Sequence, residues 1–151
     1  MKIIFLDIDG VLNSEMYEAC GDDYIDLSRV KLLADIVNAT DAKIVLISSL
    51  RLDWDKNPEL CGKDGKYINQ SLAKYGLSIM DKTPFFSLFT ERRKEILSWL
   101  LNHHSEVDGF VIIDDMKDGW GELDYRVINT NPQGYGIEQE HVERAIELLK
   151  L

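Results

Sequence analysis

Two carboxylates stand close together near the start of the chain, in the stretch KIIFLDIDGVLN at residues 2–13. Asp7 directly follows four apolar residues, and Asp9 comes two positions later, just before Gly10. Carboxylates this close repel each other and are costly to remove from water unless something positive joins them. The rest of the chain should therefore supply a metal ion site, basic side chains, or both.

Two further polar pairs follow apolar runs. Ser48 and Ser49 come after KIVLI, and Asp114 and Asp115 come after FVII. If these runs are strands of a parallel sheet, their carboxyl ends lie at one edge, where open sheets bind ligands. Each pair taken alone could equally be a helix cap or a turn. All three pairs together favour one site.

Four carboxylates at one edge favour a hard cation with oxygen ligands. The four are Asp7, Asp9, Asp114 and Asp115. Magnesium takes one or two carboxylates together with waters and substrate phosphate oxygens. The three histidines and two cysteines do not form the cluster of nitrogen and sulfur ligands that zinc prefers. Mg²⁺ is therefore the expected cofactor.

The basic partner lies in the segment TERRKE, where Thr90 is expected to cap a helix. Arg92, Arg93 and Lys94 then fall in the first helical turn, at the positive end of the helix dipole, where cations are mildly unfavourable. A local rule broken in this way is typical of functional sites, so one of the three is expected to bind a phosphate. The alternative is a solvated basic patch. Arg51, just after the second apolar run, could bind phosphate from the other side.

The elements that must position these residues follow from the apolar pattern. Unbroken apolar runs predict three buried parallel strands, at residues 3–6, 43–47 and 110–113. Apolar residues at helical spacing predict helices from Asp26 or Ser28 to about Asn38, from Thr90 onward, and from Ile137 or Glu138 to Leu149. Weaker patterns predict a helix at 67–75, a strand at 77–80, a partly buried loop at 84–89 and an edge strand at 125–129.

Length and charge limit the classes of function. A chain of 151 residues is expected to form one domain, residues 1–151. The formal net charge of −10 argues against an extended nucleic-acid-binding surface, although a small basic pocket remains compatible with it. No apolar run has the length of a membrane helix. Two isolated cysteines without CxxC spacing are typical of a reducing compartment, so a cytoplasmic location is expected.

In their order along the chain, these motifs resemble those of the haloacid dehalogenase-like (HAD) phosphohydrolase superfamily. LDIDGVLN resembles the first motif, Ser48 the second, one of Arg92, Arg93 or Lys94 the third, and IIDD at 112–115 the fourth. Over nearly the whole chain, DIDGVLN, ISSLR, RRKEILSWL and GYGI resemble the small HAD domains linked to RNA-repair proteins. The resemblance implies an α/β, three-layer Rossmann-like fold with a mainly parallel central sheet, and the short connecting segments imply an essentially capless site.

The resemblance also implies a mechanism. Asp7 would attack phosphorus and form an aspartyl-phosphate, and Asp9 would serve as general acid and then as general base. Mg²⁺ would be held by Asp7, by the main-chain carbonyl of Asp9 and by Asp114, with Asp115 acting through water.

The resemblance assigns the phosphate grip to Ser48 and to one residue of the basic triplet. Arg92, which stands four residues before Ile96, is the preferred choice, and Arg93 is the second. The further expected substrate contacts are Gly10, Ser49, Arg51 and Arg93. The expected partner is a phosphorylated substrate, either a small molecule or a nucleic-acid end. No interaction with a membrane is expected.

These expectations give a first hypothesis and several alternatives. The first is a Mg²⁺-dependent phosphomonoester hydrolase whose substrate is a nucleotide or a nucleic-acid end phosphate. An open site suits a large substrate by analogy with the superfamily, whereas the acidic surface favours a small phosphoester. The rival class is a non-catalytic HAD-like module that binds phosphate, and a phosphate-transferring mutase is a third reading.

Overall fold

A computed structural model describes residues 1–151. The strands are β1 (Lys2–Leu6), β2 (Lys43–Leu46), β3 (Ile79–Lys82), β4 (Gly109–Asp114) and β5 (Val127–Asn129). The helices are α1 (Leu27–Thr40), α2 (Lys63–Ala73), α3 (Arg92–Asn102) and α4 (Gln139–Lys150). Short 3₁₀ turns lie at Ser49–Asp53, Pro58–Leu60 and Gly121–Arg126.

The five strands form one parallel sheet in the order β3-β2-β1-β4-β5. Strand β1 lies in the middle, with Leu6 in register with Leu46 of β2 and Ile113 of β4. The carboxyl ends of these three central strands are therefore level, and the residues that follow them meet at one edge. The α/β fold with a parallel, Rossmann-like central sheet is confirmed.

Helices cover both faces of the sheet and make three layers. Successive side chains of β1 point to opposite faces, so Ile4 and Leu6 pack in a core with α1, α2 and α4. Ile3 and Phe5 pack on the other face with α3, where the Phe5 ring meets Trp99 edge to face at 5.4 Å. Burying each of these β1 side chains contributes about 1.5–3 kcal/mol. That burial fixes the position of the strand that leads directly into Asp7.

No separate domain covers the carboxyl edge of the sheet. The segment between β1 and α1 consists of turns and one isolated two-residue bridge. In the segment between β2 and α3, α2 packs into the same core as α1, and β3 pairs with β2. The expected capless architecture is therefore observed. None of the helices combines the length and the apolar composition needed to cross a membrane.

Helix α3 begins one residue later than a cap at Thr90 predicts. Glu91, and not Thr90, occupies the position before the first helical residue, and it makes no side-chain capping bond. The Thr90 hydroxyl lies 2.9 Å from the Ser87 hydroxyl, so it is engaged in the preceding turn. Arg92 consequently becomes the first residue of the helix.

Two weaker elements also differ from their predicted positions. Helix α2 begins at Lys63, four residues earlier than predicted, because the carboxylate of Asp53 accepts the N–H groups of Asp64 and Gly65. A cap supplied from ten residues upstream leaves no local signal at the helix start. Strand β3 lies at 79–82 and not at 77–80.

The loop at residues 84–89 is more exposed than predicted. The side chains of Leu88 and Phe89 are 84% and 95% exposed, and that of Phe86 is 57% exposed. The apolar character of the segment suggested partial burial, but it ends at α3 without packing into either core.

Candidate functional site

The polar residues that end the three central strands lie together and are buried. Asp7, Ser48 and Asp114 are at most 3% exposed. The backbone ladder continues past the strands, since the Asp7 N–H donates to the Ile113 carbonyl at 3.0 Å and the Ile47 N–H donates to the Leu6 carbonyl at 2.9 Å. The apolar strands therefore place these polar groups at fixed positions along the sheet edge.

Three carboxylates form a compact cluster. One carboxylate oxygen from each of Asp7, Asp114 and Asp115 lies within 4.8 Å of the others. Burial, and next the charge of Asp114, raise the pKa of Asp7 to about 7. Burial and Asp114 likewise raise the pKa of Asp115. Three carboxylates this close together, two of them with raised pKa values, form a set of hard oxygen donors that fits a divalent cation such as Mg²⁺.

Arg92 is the member of the basic triplet that reaches this cluster. Its Nη1 lies 2.6 Å from Oδ2 of Asp114 and 3.1 Å from Oδ2 of Asp7. Burial opposes the charge of the guanidinium, but the two carboxylates outweigh that effect and raise the pKa of Arg92. The arginine therefore stays charged at the centre of the site.

The other two basic residues of the triplet do not reach the cluster. Arg93 pairs with Glu122 at 2.9 Å and with Glu91 at 3.5 Å, so its guanidinium is engaged away from Asp7. Lys94 is exposed. The placement of Arg93 as a substrate contact is thus not supported by its partners, because both are surface carboxylates outside the cluster.

Asp9 lies beyond the cluster, with an exposed side chain. Its Oδ1 accepts a hydrogen bond from Asn13 Nδ2 at 2.9 Å, and the Gly10 N–H donates to Asn13 Oδ1 at 2.9 Å. The carboxylate of Asp9 is therefore separate from the three clustered carboxylates and is oriented by Asn13. Because the Gly10 N–H already has a partner within the chain, it is not free to bind a substrate.

Gly10 has a steric role at this turn. Its φ of +83° is one that favours glycine, and a Cβ here would lie 2.2 Å from Oδ2 of Asp115. The Gly10 carbonyl accepts a hydrogen bond from the buried hydroxyl of Thr130 at 2.8 Å. Glycine thus lets the first loop pass directly beside a cluster carboxylate.

Ser48 and Ser49 have different environments. The Ser48 hydroxyl is buried at the end of β2 and accepts the Leu50 N–H at 3.2 Å. It donates to no acceptor within the chain, so its proton remains available to a ligand. Ser49 is exposed in the following 3₁₀ turn.

Arg51 does not serve the phosphate role expected of it. It is 3% exposed, and all five of its N–H donors are used within the chain. They bond to Glu95 and to the carbonyls of Ile47, Ser48, Thr83 and Pro84. Since no donor remains for a phosphate, Arg51 acts as a brace between the ends of β2 and β3 and helix α3.

Three residues of the site region are not identified from the sequence. Glu95 is buried against Arg51 at 2.9 Å, although a glutamate near a helix start normally lies in solvent. The position of Thr130 could have indicated that it belongs to the site, because it directly follows β5 as other polar residues follow the central strands. Asn13, which orients Asp9, stands within the first motif itself.

A comparison with known protein families places the chain in one of them. A family model described as the HAD domain in Swiss Army Knife RNA repair proteins matches residues 3–142. That range contains Asp7, Ser48, Arg92 and Asp114. Neither the curated proteins nor the solved structures contain a match to the chain. The extent of the family match confirms the resemblance of the motifs, and the chain belongs to the family of HAD domains found in Swiss Army Knife RNA repair proteins.

Proposed function

We propose that this protein is a Mg²⁺-dependent phosphomonoester hydrolase that acts through an aspartyl-phosphate on Asp7. One observation carries the proposal: Arg92 lies within 3.1 Å of both Asp7 and Asp114 at the carboxyl edge of the sheet. A phosphate can bind between an arginine guanidinium and a metal ion that is held by a neighbouring carboxylate cluster. Membership of a HAD family supports a phosphatase-like function.

In the first step, a carboxylate oxygen of Asp7 attacks the phosphorus of the bound ester. The bond between phosphorus and the ester oxygen breaks, and the leaving oxygen takes a proton from the carboxylic acid of Asp9. An acyl phosphate on Asp7 and a free alcohol result. This divides one difficult displacement into two easier ones.

In the second step, water attacks the phosphorus while the carboxylate of Asp9 removes a proton from it. The bond between phosphorus and Asp7 breaks, which releases inorganic phosphate and restores the Asp7 carboxylate and the protonated Asp9. Acid–base help of this kind typically contributes about 10² to 10⁴ in rate. The exposed position of Asp9 beyond the buried cluster, fixed by Asn13, supports this role.

The remaining groups bind and orient the phosphate. Asp7, Asp114 and Asp115 would hold the metal ion, together with the main-chain carbonyl of Asp9. A bound Mg²⁺ supplies positive charge that favours the ionised Asp7 and offsets the charge of the phosphate oxygens. Arg92 donates to the phosphate, and the available proton of Ser48 provides a further hydrogen bond.

The proposed substrate is a nucleotide or the terminal phosphate of a nucleic acid. The family's place in RNA repair proteins supports this class, and the uncovered sheet edge supports access for a large substrate. The net charge of −10 favours instead a small-metabolite phosphoester, which is the second candidate.

The test measures phosphate release from p-nitrophenyl phosphate by the wild type, by Asp7→Asn and by Asp118→Asn. Asp118 is exposed and lies outside the cluster, so it is the matched control. We expect Mg²⁺-dependent release by the wild type and Asp118→Asn, and its loss in Asp7→Asn. Equal rates for wild type and Asp7→Asn would overturn the nucleophile, and an unchanged rate in chelator would overturn the metal role.

A substrate panel then separates the candidate substrates. It contains nucleotides, oligonucleotides with a 5′- or 3′-phosphate, and sugar phosphates. Faster turnover of nucleotides or oligonucleotides supports the first candidate, and faster turnover of sugar phosphates supports the second. Absence of turnover across the panel would indicate a phosphate-binding module without catalysis.

A further inference from the structure

The segment PFFSLF at residues 84–89, called the aromatic segment below, exposes side chains that soluble proteins normally bury. Phe86 is 57% exposed and Phe89 is 95% exposed. Phe85 and Phe86 also line a cavity of about 550 Å³, whose other walls include the apolar Leu52 and the polar Lys82 and Asn102. Contiguous exposed apolar surface of this kind commonly marks a binding site.

The aromatic segment precedes α3 and is anchored to the first turn of that helix, which begins with Arg92. The Phe86 N–H donates to Glu95 Oε2 at 3.3 Å, and the Pro84 carbonyl accepts from Arg51 at 3.2 Å. Glu95 lies three residues after Arg92 on α3, a rise of about 4.5 Å along the helix axis. The segment is therefore held by the same helical turn that places Arg92 3.1 Å from Asp7.

The first aromatic ring of the segment, that of Phe85, contacts Arg51. The Cζ atom of Arg51 lies 5.8 Å from the centre of the Phe85 ring, within the range of a cation–π contact. Phe85 is thus a supporting ring, while Phe86 and Phe89 present more of their surface to solvent.

The segment offers flat apolar faces but few groups that could read a ligand by hydrogen bonds. Its one polar side chain, Ser87, lies 2.9 Å from the Thr90 hydroxyl and accepts the Phe89 N–H at 3.2 Å. Aromatic rings without such groups bind nucleobases by stacking, which tolerates any base. The net charge of −10 disfavours a long polyanion, so the ligand that fits best is one terminal nucleotide.

We propose that the aromatic segment is a base-stacking subsite. The exposed rings of Phe86 and Phe89 contact the base of a nucleotide, or of the last nucleotide of a strand, whose phosphate lies at Asp7. The inference rests on the proposed phosphatase function and names its substrate class. It also specifies that the enzyme prefers nucleotides over sugar phosphates without preferring one base.

The test compares kcat/KM for adenosine and uridine monophosphates with that for ribose 5-phosphate, which carries the same sugar phosphate but no base. We expect Phe86→Ala and Phe89→Ala each to lower kcat/KM for both nucleotides about tenfold and to leave ribose 5-phosphate unchanged. Phe89→Trp retains the nucleotide rate because it keeps a flat ring, whereas Phe89→Leu loses it. Leu101→Ala, at a 73% exposed position on α3, leaves all rates unchanged.

Other results would overturn the subsite. These are an equal loss on ribose 5-phosphate, a full nucleotide rate in Phe89→Leu, or unchanged nucleotide rates in both alanine variants. Variants that only convert a wild-type dimer into a monomer, at unchanged nucleotide rates, would instead place a second copy of the chain on the segment.

A calorimetric titration with adenosine monophosphate separates this inference from the function on which it rests. If the wild type hydrolyses no ester but Phe86→Ala and Phe89→Ala still weaken nucleotide binding about tenfold, the phosphatase proposal fails and the subsite stands. If esters are hydrolysed and nucleotide binding is the same in all variants, the subsite alone fails.

Discussion

Arg92, the first residue of α3, donates from Nη1 to Oδ2 of Asp114, the last residue of β4, at 2.6 Å. A cation at the positive end of a helix is unfavourable by about 0.3–1 kcal/mol. Here the buried carboxylates of Asp7 and Asp114 offset that cost. The contact explains why a basic residue stands where a helix normally prefers an acidic one.

Replacing Arg92 should impair catalysis more than replacing its neighbour. We expect Arg92→Ala to lower kcat/KM about 10² to 10³-fold, the cost typical of losing one donor to a reacting oxyanion. Arg92→Lys restores part of the rate, because the ammonium keeps the charge without the planar fork. Arg93→Ala is the matched control and stays within about threefold of wild type, since its partners are surface carboxylates. Phosphate release is measured for all three variants. A larger loss of kcat/KM in Arg93→Ala than in Arg92→Ala would show that Arg93 binds the phosphate.

Gly10→Ala should weaken Mg²⁺ binding, whereas Gly21→Ala should not. Both glycines have positive φ, so each substitution carries a similar backbone strain of roughly 1–2 kcal/mol. Only at Gly10 would the new Cβ meet Asp115, at 2.2 Å, while nothing lies within 4 Å at Gly21. We expect at least about tenfold weaker Mg²⁺ affinity for Gly10→Ala by calorimetry. Equal affinities in the two variants would show that the position of Asp115 does not matter to the metal.

The Arg51–Glu95 pair should contribute strongly to stability. Removing one partner leaves the other charged and buried, so Arg51→Met should cost about 3–5 kcal/mol in urea unfolding. Lys31→Met removes an exposed pair with Asp35 and should cost less than about 0.5 kcal/mol. The double variant Arg51→Met/Glu95→Leu should recover part of the loss because no unpaired charge remains. A cost below about 1 kcal/mol for Arg51→Met would show that Arg51 does not stabilise the contact between the ends of β2 and β3 and helix α3.

Stability without divalent cations should depend on pH through Asp7. Its pKa rises from 3.8 to about 7 on folding, mainly because the carboxyl is buried, so the native state holds a proton that the unfolded chain has lost. The contribution of Asp7 is fully present below about pH 4 and is lost as the pH rises through 7. In chelator, Asp7→Asn should gain stability relative to wild type between pH 5 and pH 8, while Asp118→Asn should not. A constant difference between wild type and Asp7→Asn across that range would contradict the shifted pKa.

The sequence predicts the central strands and their polar ends well, because both signals are local. Unbroken apolar runs identify β1, β2 and β4, and the residues that follow them form the site edge. Of the basic triplet, Arg92 at the start of α3 is the residue whose side chain lies beside Asp7 and Asp114. Parallel register then brings together residues that are far apart in the chain.

The features that the sequence does not predict depend on contacts between residues that are distant in the chain, or on burial in the folded protein. Arg51 looks like a phosphate ligand until its five acceptors are known, and Glu95 looks like a surface residue until it meets Arg51. The start of α2 depends on Asp53, which lies ten residues before the helix. The aromatic segment has the composition of a partly buried loop, and only its position outside both cores shows that it is exposed.

Rapid acid quenching tests most directly whether Asp7 carries the phosphoryl group. Wild type and Asp9→Asn are mixed with p-nitrophenyl phosphate and Mg²⁺, quenched at short times, digested and analysed by mass spectrometry. An aryl leaving group needs little protonation, so Asp9→Asn should slow mainly the attack of water and accumulate the intermediate. We predict one phosphoryl group on the peptide that contains Asp7, at higher occupancy in Asp9→Asn. A phosphoryl group on a different residue, or wild-type turnover by Asp7→Asn, would contradict the account.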